Sequence, residues 1–243
     1  MSEVEIPYGW EVASGRIVHV DDAFRGKACN CVCPGCGSSL IAKKGEKKAN
    51  HFAHAGGCIC KGYLETLIHK TSKQIIKDAN TIRVPSLALY EIGLNGRIQK
   101  KYPIIDTSSQ FIKYDSCAKE EQIRREYFVI QPDLILKKGE RSLIVEITVT
   151  HPIDSEKESK IIELGYSALE INLSWVGIDF VYAELRKTIL NTLNYSKDHT
   201  TVIPFKKWIN NEKFNALASR LRNSGKHVSP DTASGPHPYN MYV

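Results

Sequence analysis

Two carboxylates stand out because they interrupt apolar runs. Asp133 follows Pro132 at the start of Leu134-Ile135-Leu136, and Glu146 sits inside Leu143-Ile144-Val145-Glu146-Ile147-Thr148-Val149. Between the runs, Lys137-Lys138-Gly139-Glu140-Arg141-Ser142 carries the glycine and the charges of a hairpin turn. β-Branched residues dominate the second run, so both runs read as strands. A buried carboxylate without a partner is expensive, and Glu146 must therefore face a cation, a basic residue or water. Two acidic groups brought together by an antiparallel hairpin form an oxygen-ligand site for a hard divalent ion such as Mg²⁺.

A second group of chemistry-bearing residues lies upstream. Six of the seven cysteines fall between Cys29 and Cys60, beside His51 and His54. In Cys33-Pro34-Gly35-Cys36-Gly37 a tight turn aims two thiolates at one point, and the glycines let backbone N–H groups approach the sulfurs. The expected structural Zn²⁺ site takes Cys33 and Cys36 plus two of His51, His54, Cys58 and Cys60, with His54 and Cys60 the favoured pair. An iron–sulfur cluster is the alternative, and the histidines suit zinc better.

The elements that must position these groups follow from periodicity. Short strands are expected over residues 6–28, and a hairpin turning at Gly45-Glu46 leads to His51. Leu64, Leu67, Ile68, Ile75 and Ile76 predict a helix from Gly62 to near Asn80. Glu65, His69 and Lys73 are spaced four apart and share one of its faces, which in most helices is simply solvated. Strands are expected over 83–94 and 97–105, joined across Asn95-Gly96. Residues 106–120 read as a polar loop in which Cys117 has no evident role. Beyond the carboxylate hairpin, Asp154 caps a helix that Gly165 stops, and Ser167 to Leu173 is a strand. Two more helices are expected, over 180–193 and 205–222. The second carries Lys206, Lys207, Lys213, Arg220 and Arg222, which would grip phosphates without reading sequence. Residues 223–243, rich in Ser, Pro, Gly and His, read as a disordered tail.

Composition sets the bounds. A chain of 243 residues with 42% apolar content can bury one large core and a small satellite module. With no apolar run of transmembrane length and no signal-peptide pattern, it is expected to be soluble, cytoplasmic and free of membranes. A net charge of +6 fits a phosphate-bearing partner.

Pro132-Asp133, the spacer and Glu146-Ile147-Thr148 resemble the core motif of PD-(D/E)xK nucleases, the restriction-endonuclease-like superfamily, with Thr148 where that motif has lysine. Further segments, in order, resemble the competence protein CoiA-like family over roughly residues 15–175. These are Arg25-Gly26, Cys33-Pro34-Gly35-Cys36, Ala42 to Glu46, His51 to His54, Glu65 with His69 and Lys73, Val145 to His151, and Leu169 to Leu173. The resemblance implies an α/β (α+β) fold with a restriction-endonuclease-like αβββαβ core at 62–222 with C-terminal helices, preceded by a zinc-binding module at 1–61. It implies a nuclease hydrolysing DNA in bacterial DNA uptake, recombination or defence, with recombination or defence proteins as partners. Asp133, Glu146 and the Ile147 carbonyl would hold Mg²⁺ or Mn²⁺, with Glu65 from the preceding helix as a further ligand. Lys157 or Lys73 would replace the missing lysine, Thr148 could donate only a neutral hydrogen bond, and His151 is a candidate base or phosphate contact. A nuclease fold that binds nucleic acid without cutting it, or a zinc-dependent recruiting protein, is the competing expectation.

Overall fold

In the computed structural model, which describes residues 6–57, 60, 62–106, 108, 110–192, 194–195, 203–204 and 206–230, the carboxylate hairpin forms the middle of a five-stranded sheet. Its strand order is Ser116–Lys119, Leu134–Lys138, Arg141–Thr148, Ser167–Asn172 and Lys206–Asn210. The first three run antiparallel to one another, Ser167–Asn172 is parallel to Arg141–Thr148, and Lys206–Asn210 returns antiparallel at the far edge. Helix α1 (Tyr63–Asp78) precedes these strands, and α2 (Ser155–Leu164) makes the crossover between the parallel pair. Helices α3 (Tyr182–Asn191) and α4 (Glu212–Asn223) follow. The protein is thus mixed α+β, with several sheets and four α-helices among the described residues.

Side-chain alternation sorts the two faces of the sheet. Leu143, Val145, Ile147, Leu169 and Ile171 join Ile68, Ile75 and Ile76 of α1 and Leu185 and Ile189 of α3 in one apolar cluster. Ile144, Ala168 and Ile209 point the other way, against Ile161 and Leu164 of α2. Glu146, Thr148 and Glu170 lie at the same alternate positions as Ile144 and Ala168, and so fall on the α2 face. Local signals explain the crossover helix. The Asp154 carboxylate accepts the Lys157 N–H at 2.7 Å, and Gly165 takes the left-handed conformation (φ +76°) that ends the helix.

The N-terminal strands do not bury their side chains alone. Tyr8–Glu11, Arg16–His19 and Cys31–Val32 form a three-stranded sheet, and Leu40–Lys43 pairs with His51–His54. Their cluster, centred on Phe52 and Val20, includes Tyr63 and Leu67 of α1. One helix therefore serves both cores.

Three sequence expectations are corrected. The stretch read as a polar loop contains the edge strand Ser116–Lys119, whose order comes from pairing with Leu134–Lys138 rather than from an apolar pattern. The helix expected over 205–222 divides in two. Lys206–Asn210 is a strand, and Asn211 then caps α4 by accepting the Phe214 N–H. The tail expected from 223 does not start there, because Asn223 ends α4 and Val228–Pro230 pairs with Leu87–Ile92; residues 231–243 lie outside the described residues. The Asn95-Gly96 hairpin forms between Leu87–Ile92 and Ile98–Ile105, yet it belongs to a separate sheet packed on α4 through Leu89, Phe214 and Leu221. No helix among the described residues is long and apolar enough to cross a membrane.

Ile68, wholly buried beside the His69 position, ties α1 to the sheet. Ile68→Ala should cost about 2–5 kcal/mol of stability, read as a lower urea midpoint in equilibrium unfolding.

Candidate functional site

Two sites are braced by α1. The first is a thiol–imidazole cluster. Cys33, Cys36, His54 and Cys60 place their donor atoms all within 4.8 Å of one another. Cys33 Sγ lies 3.8 Å from Cys60 Sγ, and Cys36 Sγ lies 3.4 Å from His54 Nε2. A Cβ on Gly35 would come within 2.7 Å of Cys60 Sγ and 2.9 Å of the Tyr63 backbone, so only glycine fits the turn. Lys70 of α1 fastens that turn by donating to the Pro34 carbonyl at 3.0 Å. Burial pushes the Cys33 thiol up, while the N–H groups of Cys36 and Gly35 partly offset this. Burial and the neighbouring Cys33 and Cys36 thiols push Cys60 up to about 12. These thiols ionise readily only when a cation joins them, and three sulfurs with one imidazole suit a tetrahedral ion such as Zn²⁺. His51 is outside the set. It lies three residues before His54 on one strand, hence on the other side, and its Nδ1 sits 2.9 Å from the Ala49 carbonyl. Cys58 lies outside the described residues. Cys29 and Cys31 are buried in the apolar cluster instead.

The second site is at the Asp133 end of the sheet. Asp133 Oδ2 accepts the Ile147 N–H at 2.9 Å, and Asp133 Oδ1 pairs with Lys73 Nζ at 2.8 Å. His69 Nε2 stands 3.1 Å from Asp133 Oδ2 and 3.0 Å from the Ile147 carbonyl oxygen. A carbonyl only accepts, so this nitrogen carries the proton. Lys73 also reaches Glu120 Oε1 at 2.7 Å. Burial by itself would raise the Asp133 carboxyl; His69, Lys73 and the Ile147 N–H outweigh it and hold the group well below the usual carboxylate range. Burial would likewise lower Lys73, and Asp133 and Glu120 reverse the sign.

Glu146 has the opposite balance. It is 2% exposed, and burial pushes it up to about 7 against the pull of Lys157, with the Asp133 charge adding to the rise. Lys157 Nζ contacts Glu146 Oε2 at 2.8 Å, whereas Oε1 is buried without a hydrogen-bond partner. Asp133, His69 and Glu146 are spaced more widely than the thiol cluster, which is the one compact group of its kind among the described residues.

Residues 21–62 match the family model described as competence protein CoiA, N-terminal domain. That segment contains every ligand of the thiol cluster and stops short of α1. No curated protein and no solved structure matches the chain.

Of the other expected site residues, Glu65 Oε1 accepts from Thr150 Oγ1 at 2.6 Å, beyond the end of the strand. Thr148 turns to Glu170, donating to its Oε1 at 2.6 Å. His151 is exposed, and among the described residues no hydrogen bond or ion pair links it to either carboxylate. His69 acquires a place that its four-residue spacing from Glu65 and Lys73 already hinted at. Glu170 was missed, although it breaks its apolar run just as Glu146 does. Glu120 has no sequence signal.

Replacing Cys33, Cys36 or Cys60 by Ser, or His54 by Ala, should each reduce bound zinc measured by mass spectrometry, and His51→Ala should leave it unchanged. The raised Glu146 value also sets a pH dependence. The folded state holds a proton that the unfolded chain has released, so this contribution favours folding below the ordinary carboxylate value and is lost as pH rises through about 7. Without added divalent ion, the melting temperature should fall between about pH 5 and about pH 8, and Glu146→Gln should flatten that decline.

Proposed function

We propose that this chain is a CoiA-family, metal-dependent deoxyribonuclease with a PD-(D/E)xK core, acting in the cytoplasm on DNA during uptake, recombination or defence. The observation that carries this reading is the convergence at one end of the sheet. Asp133 Oδ2 and the Ile147 carbonyl lie 3.1 and 3.0 Å from a common point held by the His69 N–H, with Glu146 buried nearby and one of its oxygens unpartnered. The family match at 21–62 supports it, as does the order of helix, three antiparallel strands, helix and parallel strand.

The donors fit a hard cation. Asp133, Glu146 and the Ile147 carbonyl, which would hold Mg²⁺ or Mn²⁺, offer only oxygen, and an unpartnered buried carboxylate oxygen gains most from a positive charge. When bound, the ion would acidify a water and neutralise charge on the scissile phosphate. The chain's own residues do the rest. His69 holds two mutually repelling oxygens close together, and Lys73 keeps Asp133 ionised from a fixed position between Asp133 and Glu120. Thr148 is committed to Glu170 and has no charge to give. Lys157, with its side chain 32% exposed and its Nζ on Glu146, is the cation available to meet the transition state in place of the motif's lysine. DNA would be held through its phosphates.

A nuclease fold that binds DNA without cutting it is favoured by one observation: both carboxylates are already neutralised by lysines of the chain. Plasmid and linear DNA incubated with Mg²⁺ or Mn²⁺ separate the readings. Cleavage should require the metal and fall by about 10²-fold or more in Asp133→Asn and Glu146→Gln, and by about 10²–10³-fold in Lys157→Ala. Full cleavage by Asp133→Asn would remove the nuclease reading, and binding without any cleavage by the wild type would establish the alternative.

A further inference from the structure

We infer that Lys207, held by the buried carboxylate Glu170, is a second phosphate-binding cation beside the Glu146–Lys157 pair, fixing the path of the nucleic-acid backbone across the α2 face of the sheet. This rests on the nuclease reading and adds to it a residue that lies on a strand outside the helix–three-strand–helix–strand core.

The argument begins with register. Glu146 is opposite Glu170 in the parallel pair, and Glu170 is opposite Lys207 in the antiparallel one. All three side chains share one face, with neighbouring strands about 4.8 Å apart. Two glutamates side by side and almost fully buried would repel strongly. Each is matched by its own lysine: Lys157 Nζ at 2.8 Å from Glu146, and Lys207 Nζ at 2.7 Å from Glu170 Oε2. The two pairs are alike in burial, although Lys157 also hydrogen-bonds Glu146 whereas Lys207 meets Glu170 as an ion pair alone. The glutamate side chain is 3% exposed in both, and the lysine side chains are 32% and 37% exposed. A buried carboxylate thus pins the inner side of each ammonium group while its outer side stays open.

Glu170 has further anchors that keep it in place. Its Oε1 accepts from Thr148 Oγ1 at 2.6 Å and from the Ile153 N–H at 3.4 Å, so the carboxylate is fixed by the Glu146 strand and by the entry to α2. Its Oε2 faces Lys207 as an ion pair, without the geometry of a hydrogen bond. An ammonium has three N–H groups, and those not directed at Glu170 remain for a phosphate. A lysine already held in one geometry loses little further freedom on binding. Strand alternation makes the assignment specific to this residue. Lys206 projects to the other face, is buried, and donates to the Arg83 carbonyl at 2.8 Å.

Fluorescence anisotropy with a labelled DNA oligonucleotide, over a series of salt concentrations and without added Mg²⁺ or Mn²⁺, tests this. Lys207→Ala should weaken binding and lower the slope of log affinity against log salt by about one, the signature of one lost phosphate contact. Lys207→Arg should restore both. Because Lys207→Ala leaves Glu170 buried without its cation, the double variant Lys207→Ala, Glu170→Gln is measured beside it and should show the same loss of slope. Wild-type affinity and slope in both Ala-containing variants would overturn the proposal and leave Lys207 as a counter-ion only. Absence of salt-dependent DNA binding by the wild type would instead defeat the nuclease reading on which the proposal rests.

Discussion

The structure depends on keeping Asp133 ionised inside the protein. A carboxylate at this depth is tolerated only when its charge is matched and its lone pairs are filled. Here the matching groups come from three places: His69 and Lys73 on α1, and the Ile147 N–H on the neighbouring strand. The consequence is geometric. Helix α1 must sit at a fixed height and rotation over the sheet, since a turn of one residue would withdraw His69 and Lys73 together. The apolar contacts of Ile68, Ile75 and Ile76 supply adhesion between helix and sheet, and the charged stripe supplies the register.

The two carboxylates at this end of the sheet differ in how fully each is compensated. Asp133, contacted from α1, is held ionised well below the usual carboxylate range. On the α2 side Glu146 and Glu170 face each other across adjacent strands, each with one lysine, and burial pushes Glu146 up to about 7. Two carboxylates therefore shift in opposite directions, because the number of compensating groups differs. An acid that is poorly compensated in the absence of a cation is well suited to receive one. The open outer faces of Lys157 and Lys207 give that side of the sheet a positive rim above a negative floor.

The N-terminal module is tied into this arrangement through α1. Tyr63 and Leu67 belong to its apolar cluster, Lys70 holds the Cys33–Cys36 turn, and His69 and Lys73, on either side of Lys70 in the helix, hold Asp133. An ion in the thiol cluster would therefore brace the first turns of the helix that organises the carboxylates. Such small modules gain much of their stability from the metal, because their buried apolar area is limited.

Much of this was legible in the chain itself. The Asp133–Glu146 hairpin, α1 with its stripe, and α2 between Asp154 and Gly165 follow from apolar period, glycine placement and capping, which are local signals. The Cys33-Pro34-Gly35-Cys36 turn is equally local. The edge strand at 116–119 and the strand at 206–210 were not legible, because their order comes from a partner strand and their own residues are largely polar. Side-chain fate at the site was decided later still. His51 and His54 look equivalent in sequence, and strand alternation sends only His54 to the cysteines. Nothing local says where Thr148 turns, and only the parallel register shows that it is bound to Glu170. Sequence fixes which residues can carry charge or bind metal, since that is a property of each side chain. Which of them meet is set by strand register and helix height, because those bring together residues far apart in the chain, 78 positions in the case of His69 and Ile147.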